Sequence, residues 1–154
     1  MSKRVLVPSV LGAVVLGAVV LGAVTAGGYA TASTVTEPTV ENGSADYVAP
    51  SRQGAGKLSY TADVSDDSGV REVRVIAWPA SSELDPTEAE TRYVDEATCR
   101  GTSDGTSRCT YTLEVTRRDA SDLAEGAWYV SVLATAEDGD TTFVPRAATF
   151  DVTR

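Results

Sequence analysis

The chain contains no histidine. That excludes His-based catalytic triads and His-ligated zinc, and it removes the commonest general base. Only two cysteines occur, Cys99 and Cys109. A two-thiolate metal site would need further Cys or His ligands, so the pair reads first as a disulfide. Positive charge is scarce: 13 Lys and Arg stand against 22 Asp and Glu, a net charge of −9. Nucleic acid, whose phosphates demand basic patches, is therefore excluded as a partner. The acids are dispersed, as on a solvated surface. No amphipathic helix of useful length separates the apolar segments, which excludes a parallel α/β architecture. No nucleophile stands at a useful spacing from a base. Paired carboxylates of the glycosidase kind would need a cleft and one raised pKa, and nothing in the sequence separates such a pair from turn residues. A non-catalytic protein is expected.

The one long apolar run lies at the start. Lys3 and Arg4 precede an uncharged stretch from Val5 to Val24, which includes VLGAVVLGAVVLGAV, a five-residue unit written three times. Glycines five apart step about 140° around a helix, so they line no single face. Ala30-Thr31-Ala32 follows as an A-x-A cleavage signal. Basic start, apolar middle and small-residue exit together predict a secretory signal peptide over residues 1–32, with an uncleaved anchor as the alternative. The expected product is secreted, extracellular and free of the membrane after cleavage. It retains about 120 residues, enough for one core, and 11 basic against 22 acidic side chains.

Residues 33–55, rich in Thr, Gly, Pro and Ser, read as a flexible lead-in with an edge strand around Ser44–Val48. Residues 56–154 form the domain. In KLSYTADV, Leu58, Tyr60, Ala62 and Val64 alternate with polar residues, the period of a half-buried strand. SDDSG turns the chain, and in VREVRVIAW residues Val73, Val75 and Ala77 face inward. Ile76 and Trp78 break the polar face, which predicts partial cover on that side too. Asp85-Pro86-Thr87-Glu88 predicts a short helical turn capped at Asp85. Strands are expected at Tyr93–Arg100 and Ser107–Thr116. A polar connection over 117–126 follows, with Leu123 as its apolar plug. AWYVSVLATA, then Phe143, Ala148, Phe150 and Val152, complete the pattern. The predicted core is Leu58, Tyr60, Val64, Val73, Val75, Tyr111, Leu113, Trp128, Val130, Val132 and Phe150. Short alternating strands with Gly/Asp turns predict an all-β sandwich.

CRGTSDGTSRC, residues 99–109, reads as a hairpin. A three-residue loop, Ser103-Asp104-Gly105, sets Cys99 opposite Cys109, whereas a two-residue Asp104-Gly105 turn sets Cys99 opposite Thr110. The disulfide selects the first. Such a loop either staples an edge hairpin or presents Arg100 or Arg108 to a protease.

LAEGAWYVSVLATAEDGD, DVSDDSGVREVRV and the terminal ATFDV resemble bacterial extracellular immunoglobulin-like domains. ADVSDDSGV, VIAWPASS and ATCRGTSDGTSRCTYTL resemble an uncharacterised family of small secreted actinobacterial proteins. The resemblance implies an immunoglobulin-like antiparallel sandwich of about seven strands and leaves function open. The antibody-type disulfide between sheets is absent. In such a sandwich alternate loops gather at one end. Asp66, Asp67, Asp104, Glu137, Asp138 and Asp140 are then expected to be neighbours, and carboxylates so gathered suit Ca²⁺. No other cofactor is expected. Trp78, Trp128 and Tyr129 are candidates for a carbohydrate-stacking face, with Trp128 assigned to the core by its place in the inward series. The leading expectation is a monomeric binding or surface-associated domain with an extracellular protein or cell-wall partner. The alternative is an extracellular inhibitor or ligand-binding module that uses the Cys99–Cys109 loop.

Overall fold

The computed structural model describes residues 36–154. The expected signal peptide, 1–32, lies outside the described residues. Seven strands follow in chain order: β1 Thr39–Val48, β2 Gly56–Ser65, β3 Val70–Pro79, β4 Thr98–Ser103, β5 Thr106–Val115, β6 Gly126–Ala136 and β7 Thr141–Val152. Two short helices interrupt them, α1 Glu88–Thr91 and α2 Arg117–Asp122. Every strand pairing is antiparallel, in the orders β1-β2-β5-β4 and β3-β6-β7. These are the A-B-E-D and C-F-G orders of the constant-type immunoglobulin sandwich.

The alternating residues of both sheets meet in one core. Leu58, Tyr60, Val64, Val73, Val75, Val130, Val132 and Phe150 are all buried there, as their period of two requires. Trp128 is partly buried and packs against this cluster. Two more expected core residues are not fully buried. Tyr111 is only partly buried, and Leu113 is 45% exposed. The reason is topological: β4 pairs with β5 only as far as Thr98↔Thr110, so the Tyr111–Val115 half of β5 lies at an open sheet edge.

The lead-in holds a longer strand than its composition suggests. β1 runs the whole way from Thr39 to Val48 and pairs with β2. A register shift between Glu41 and Ser44 interrupts it, where Asn42 takes φ 53° and Gly43 passes over the Ala147 carbonyl. Pairing and β1–β7 packing order a segment whose side chains alone would leave it loose.

The segment expected as a strand over Tyr93–Arg100 becomes one only at Thr98. Before that it is held to the β3 edge by a single bridge, Arg74↔Glu96, and Tyr93 is 89% exposed. α1 is capped by Thr87, not Asp85: the Thr87 hydroxyl accepts from Glu90 N–H while the Glu90 carboxylate accepts from Thr87 N–H. The same box, Thr116 with Asp119, opens α2 inside the expected polar connection. Leu123, just after α2, packs against the core as its expected plug.

Candidate functional site

Three features could carry function: the cysteine hairpin, the acidic loop end and a cleft between the sheets. In the hairpin, Cys99 and Cys109 are paired across β4 and β5 and joined by a disulfide, with Cα atoms 4.0 Å apart. The turn is the two-residue Asp104-Gly105 form. A register shift between Gly101 and Ser103 absorbs Thr102, so the cysteines still meet. Arg108 is not free for display. Its guanidinium holds Asp63 at 2.6 and 3.0 Å. Hydrogen bonds from Asn42 first, then Arg108, pull the Asp63 carboxyl below its ordinary range. Arg100 remains exposed.

The expected gathering of turns occurs. Asp66 N–H donates to the Gly105 carbonyl at 2.8 Å, and Glu137 N–H donates to the Gly69 carbonyl at 2.9 Å. These bonds tie the β2–β3 turn to the hairpin tip on one side and to the β6–β7 turn on the other. One carboxylate oxygen each from Asp66, Asp67 and Asp138 lie within 4.8 Å of one another. Asp140 stands close enough that partial desolvation, followed by the charges of Asp138, Asp66, Glu37 and Asp67, holds its carboxyl above the ordinary range. Glu37 was not legible as a member, because it precedes β1 and only the fold brings it here. Three expected members fall outside the three-oxygen group: Asp140, Asp104 and Glu137. Asp104 is exposed on the hairpin turn. Glu137 turns to Arg71, which also donates to the Glu137 carbonyl at 2.5 Å.

Asp66 differs from its neighbours. It is 6% exposed, and its Oδ1 accepts from both the N–H and the hydroxyl of Ser68, at 2.8 and 2.6 Å. Its Oδ2 is buried with no hydrogen-bond partner. Turn propensity explains an Asp at this position but not a buried, half-satisfied one.

The cleft opens where β4 stops short. It encloses about 610 Å³ between the edges of β3 and β5. Leu58, Val75, Ala77, Leu113, Trp128 and Phe150 line it, and Asp95, Glu114 and Asp119 stand at its rim. Tyr111 Oη donates to Asp95 at 3.0 Å across it. Trp128 is fixed by its indole N–H, which donates to the Ala124 carbonyl at 2.8 Å, and by Phe150 6.0 Å away. The cysteines form a non-hydrogen-bonded pair, so alternation turns the backbone groups of Thr112 and Glu114 toward the open edge. Sequence periodicity marked these residues as core; the cleft follows from the missing length of β4.

The expected stacking face is closed. Trp78 is buried on the outer face of β3, its indole N–H bonded to Ser131. Tyr129 lies 4.9 Å from it, and the Arg146 guanidinium covers Tyr129 at 4.6 Å.

Fold and sites together define an antiparallel β-sandwich domain stapled by one hairpin disulfide. The chain belongs to a family of unknown function (DUF5707), whose model matches residues 40–134. The match runs from β1 into β6. A comparison with curated proteins finds no match. Among the described residues no helix is long and apolar enough to cross a membrane.

Proposed function

We propose that this chain is a secreted, non-catalytic immunoglobulin-like domain that binds an extended segment of an extracellular or cell-wall protein in the cleft between β3 and β5. One observation carries this reading: an apolar cleft of about 610 Å³ lies directly beneath an unpaired strand edge. Such an edge accepts a further strand, whose main chain supplies affinity and whose alternate side chains supply specificity. The cleft has room for apolar side chains, and the carboxylates of Asp95, Glu114 and Asp119 favour basic residues beside it. The lack of histidine and of any paired nucleophile and base supports a binding role over a catalytic one. The disulfide suits an oxidising compartment, and the N-terminal pattern supplies the route to it. The hairpin reading is less favoured, since Arg108 is engaged by Asp63 and the loop tip is docked on Asp66.

The test is selection of displayed extended peptides against the protein, followed by nuclear magnetic resonance mapping. Shifts are expected at Thr112, Leu113, Glu114 and Trp128. Leu113→Asp should weaken the selected peptides by about tenfold or more with little change in melting temperature, because Leu113 is already half exposed. Peptides that bind Leu113→Asp as well as wild type would overturn the cleft assignment. Export is tested by intact mass of protein from the medium, expected to begin at Ser33. Full-length chain confined to membranes would overturn secretion.

A further inference from the structure

We propose that Asp66, Asp67 and Asp138 form a Ca²⁺ site that clips the β2–β3 turn to the β6–β7 turn. Two oxygens sharing a calcium ion at 2.3–2.6 Å from each can stand no more than about 5 Å apart. The three carboxylate oxygens meet that condition, with mutual separations within 4.8 Å. The cluster is more than acids at a loop end, because Asp66 is buried and its Oδ2 has no partner. A buried carboxylate oxygen left bare is costly, and a cation is the group that satisfies it while offsetting the charge of its neighbours.

No positive side chain does this already. Among the described residues, none of the salt bridges includes Asp66, Asp67, Asp138 or Asp140. Arg71 is the cation on the neighbouring strand, and it is held by Glu137. The donor set is all oxygen, with no His in the chain and both Cys in the disulfide, so a hard cation is selected over zinc or copper. Donors from two turns make a compliant cage, which suits calcium better than magnesium with its strict octahedral demand. Asp67 and Asp138 are exposed, leaving room for water to complete six to eight ligands. Asp140 and Glu37 lie outside the three-oxygen group and add negative potential around it.

The experiment uses the full chain stripped with chelator and returned to Ca²⁺, to Mg²⁺ or to sodium chloride of matched ionic strength. Extracellular calcium modules bind in the range of about 0.1–1 mM, so about 10 mM Ca²⁺ should raise the melting temperature by about 4–10 °C. Mg²⁺ should raise it by less than half as much, and sodium chloride least. Equilibrium dialysis with metal analysis should find one Ca²⁺ per chain. Asp138→Asn should have opposite effects in the two conditions. In chelator it should melt above wild type, since one repulsive charge is gone; in Ca²⁺ it should gain less, with affinity lowered at least about tenfold. Asp67→Asn should behave alike, and Asp104→Asn should keep the full Ca²⁺ gain. The proposal is overturned if wild type melts identically with Ca²⁺ and chelator, if Mg²⁺ or sodium chloride matches Ca²⁺, or if Asp138→Asn keeps the full gain.

Discussion

The indole N–H of Trp78 donates to Ser131 Oγ at 2.9 Å, and that hydroxyl donates onward to the Pro145 carbonyl at 2.6 Å. The relay crosses all three strands of the smaller sheet on its outer face. Ser131 is fully buried there and Trp78 nearly so. Pro145 cannot donate to a ladder and sits where the β6–β7 register shifts, between Val130↔Ala148 and Val132↔Val144. The hydroxyl therefore bridges the place where the ladder is interrupted.

Ser131→Ala should cost about 1–3 kcal/mol in urea unfolding, because it strands the buried indole N–H. Trp78→Phe removes the donor together with part of the packing. The double variant should cost less than the two single effects added, since both act on one relay. Full additivity would mean that the relay contributes nothing to stability.

Replacing both cysteines with alanine should lower stability by about 2.5–3 kcal/mol, the chain-entropy value for a ten-residue separation. Far-ultraviolet circular dichroism should be preserved, because the β4–β5 ladder and the core around it remain. Equal unfolding midpoints for oxidised and reduced wild type would contradict this.

Gly105→Ala should destabilise by about 2 kcal/mol or more. Gly105 has φ +71°, and an added Cβ would lie 2.3 Å from the Asp66 carbonyl oxygen. Gly101→Ala, two positions from Ser103 on the same hairpin, meets nothing within 4 Å and should be close to neutral. Similar losses in the two variants would show that the hairpin tip does not dock on the β2–β3 turn.

Alkaline pH should weaken the fold through two tyrosines. Burial pushes the Tyr60 hydroxyl up to about 12; burial, then the hydrogen bond to Asp95 and its charge, does the same for Tyr111. A folded-state pKa raised above the unfolded value of 10.0 gives stability that is full below that pH and is lost as pH rises through about 12. Phenolate absorbance should show these two groups titrating after the others. Tyr60→Phe should delay the alkaline loss and be near neutral at pH 7, because Tyr60 Oη has no hydrogen-bond partner. Phenolate absorbance rising as one step near pH 10 in the folded protein would refute the burial argument.

Strand phase was legible wherever a strand is covered from start to finish. β2 is the clearest case: Leu58, Tyr60, Ala62 and Val64 are all buried as their alternation implies. Exceptions cluster where cover changes along a strand. Leu113 keeps the inward phase of β5 yet is exposed, because its neighbouring strand ends early. Ser131 and Leu133 keep the outward phase of β6 yet are buried, on the face that Trp78 and Ile76 had suggested was partly covered. α1 packs against β6 from the excursion between β3 and β4. Helix α2 was missed because five polar residues and the single Ala120 carry no apolar period; its only signal was Thr116 with Asp119.

The amino-acid sequence by itself determined the all-β class and the pairing of Cys99 with Cys109. Both rest on local rules, a period of two and the reach of a short hairpin. The approach of the acidic turns was expected only through the resemblance to immunoglobulin-like sandwiches, whose alternate loops gather at one end. Only the tertiary structure decided where β4 ends, that a cleft opens beneath it, that Glu37 joins the acidic end, and that Asp66 is buried with a bare oxygen. Those facts depend on which surfaces lie opposite one another across the sandwich. A linear pattern tells which way a side chain faces and says nothing of what stands there to meet it.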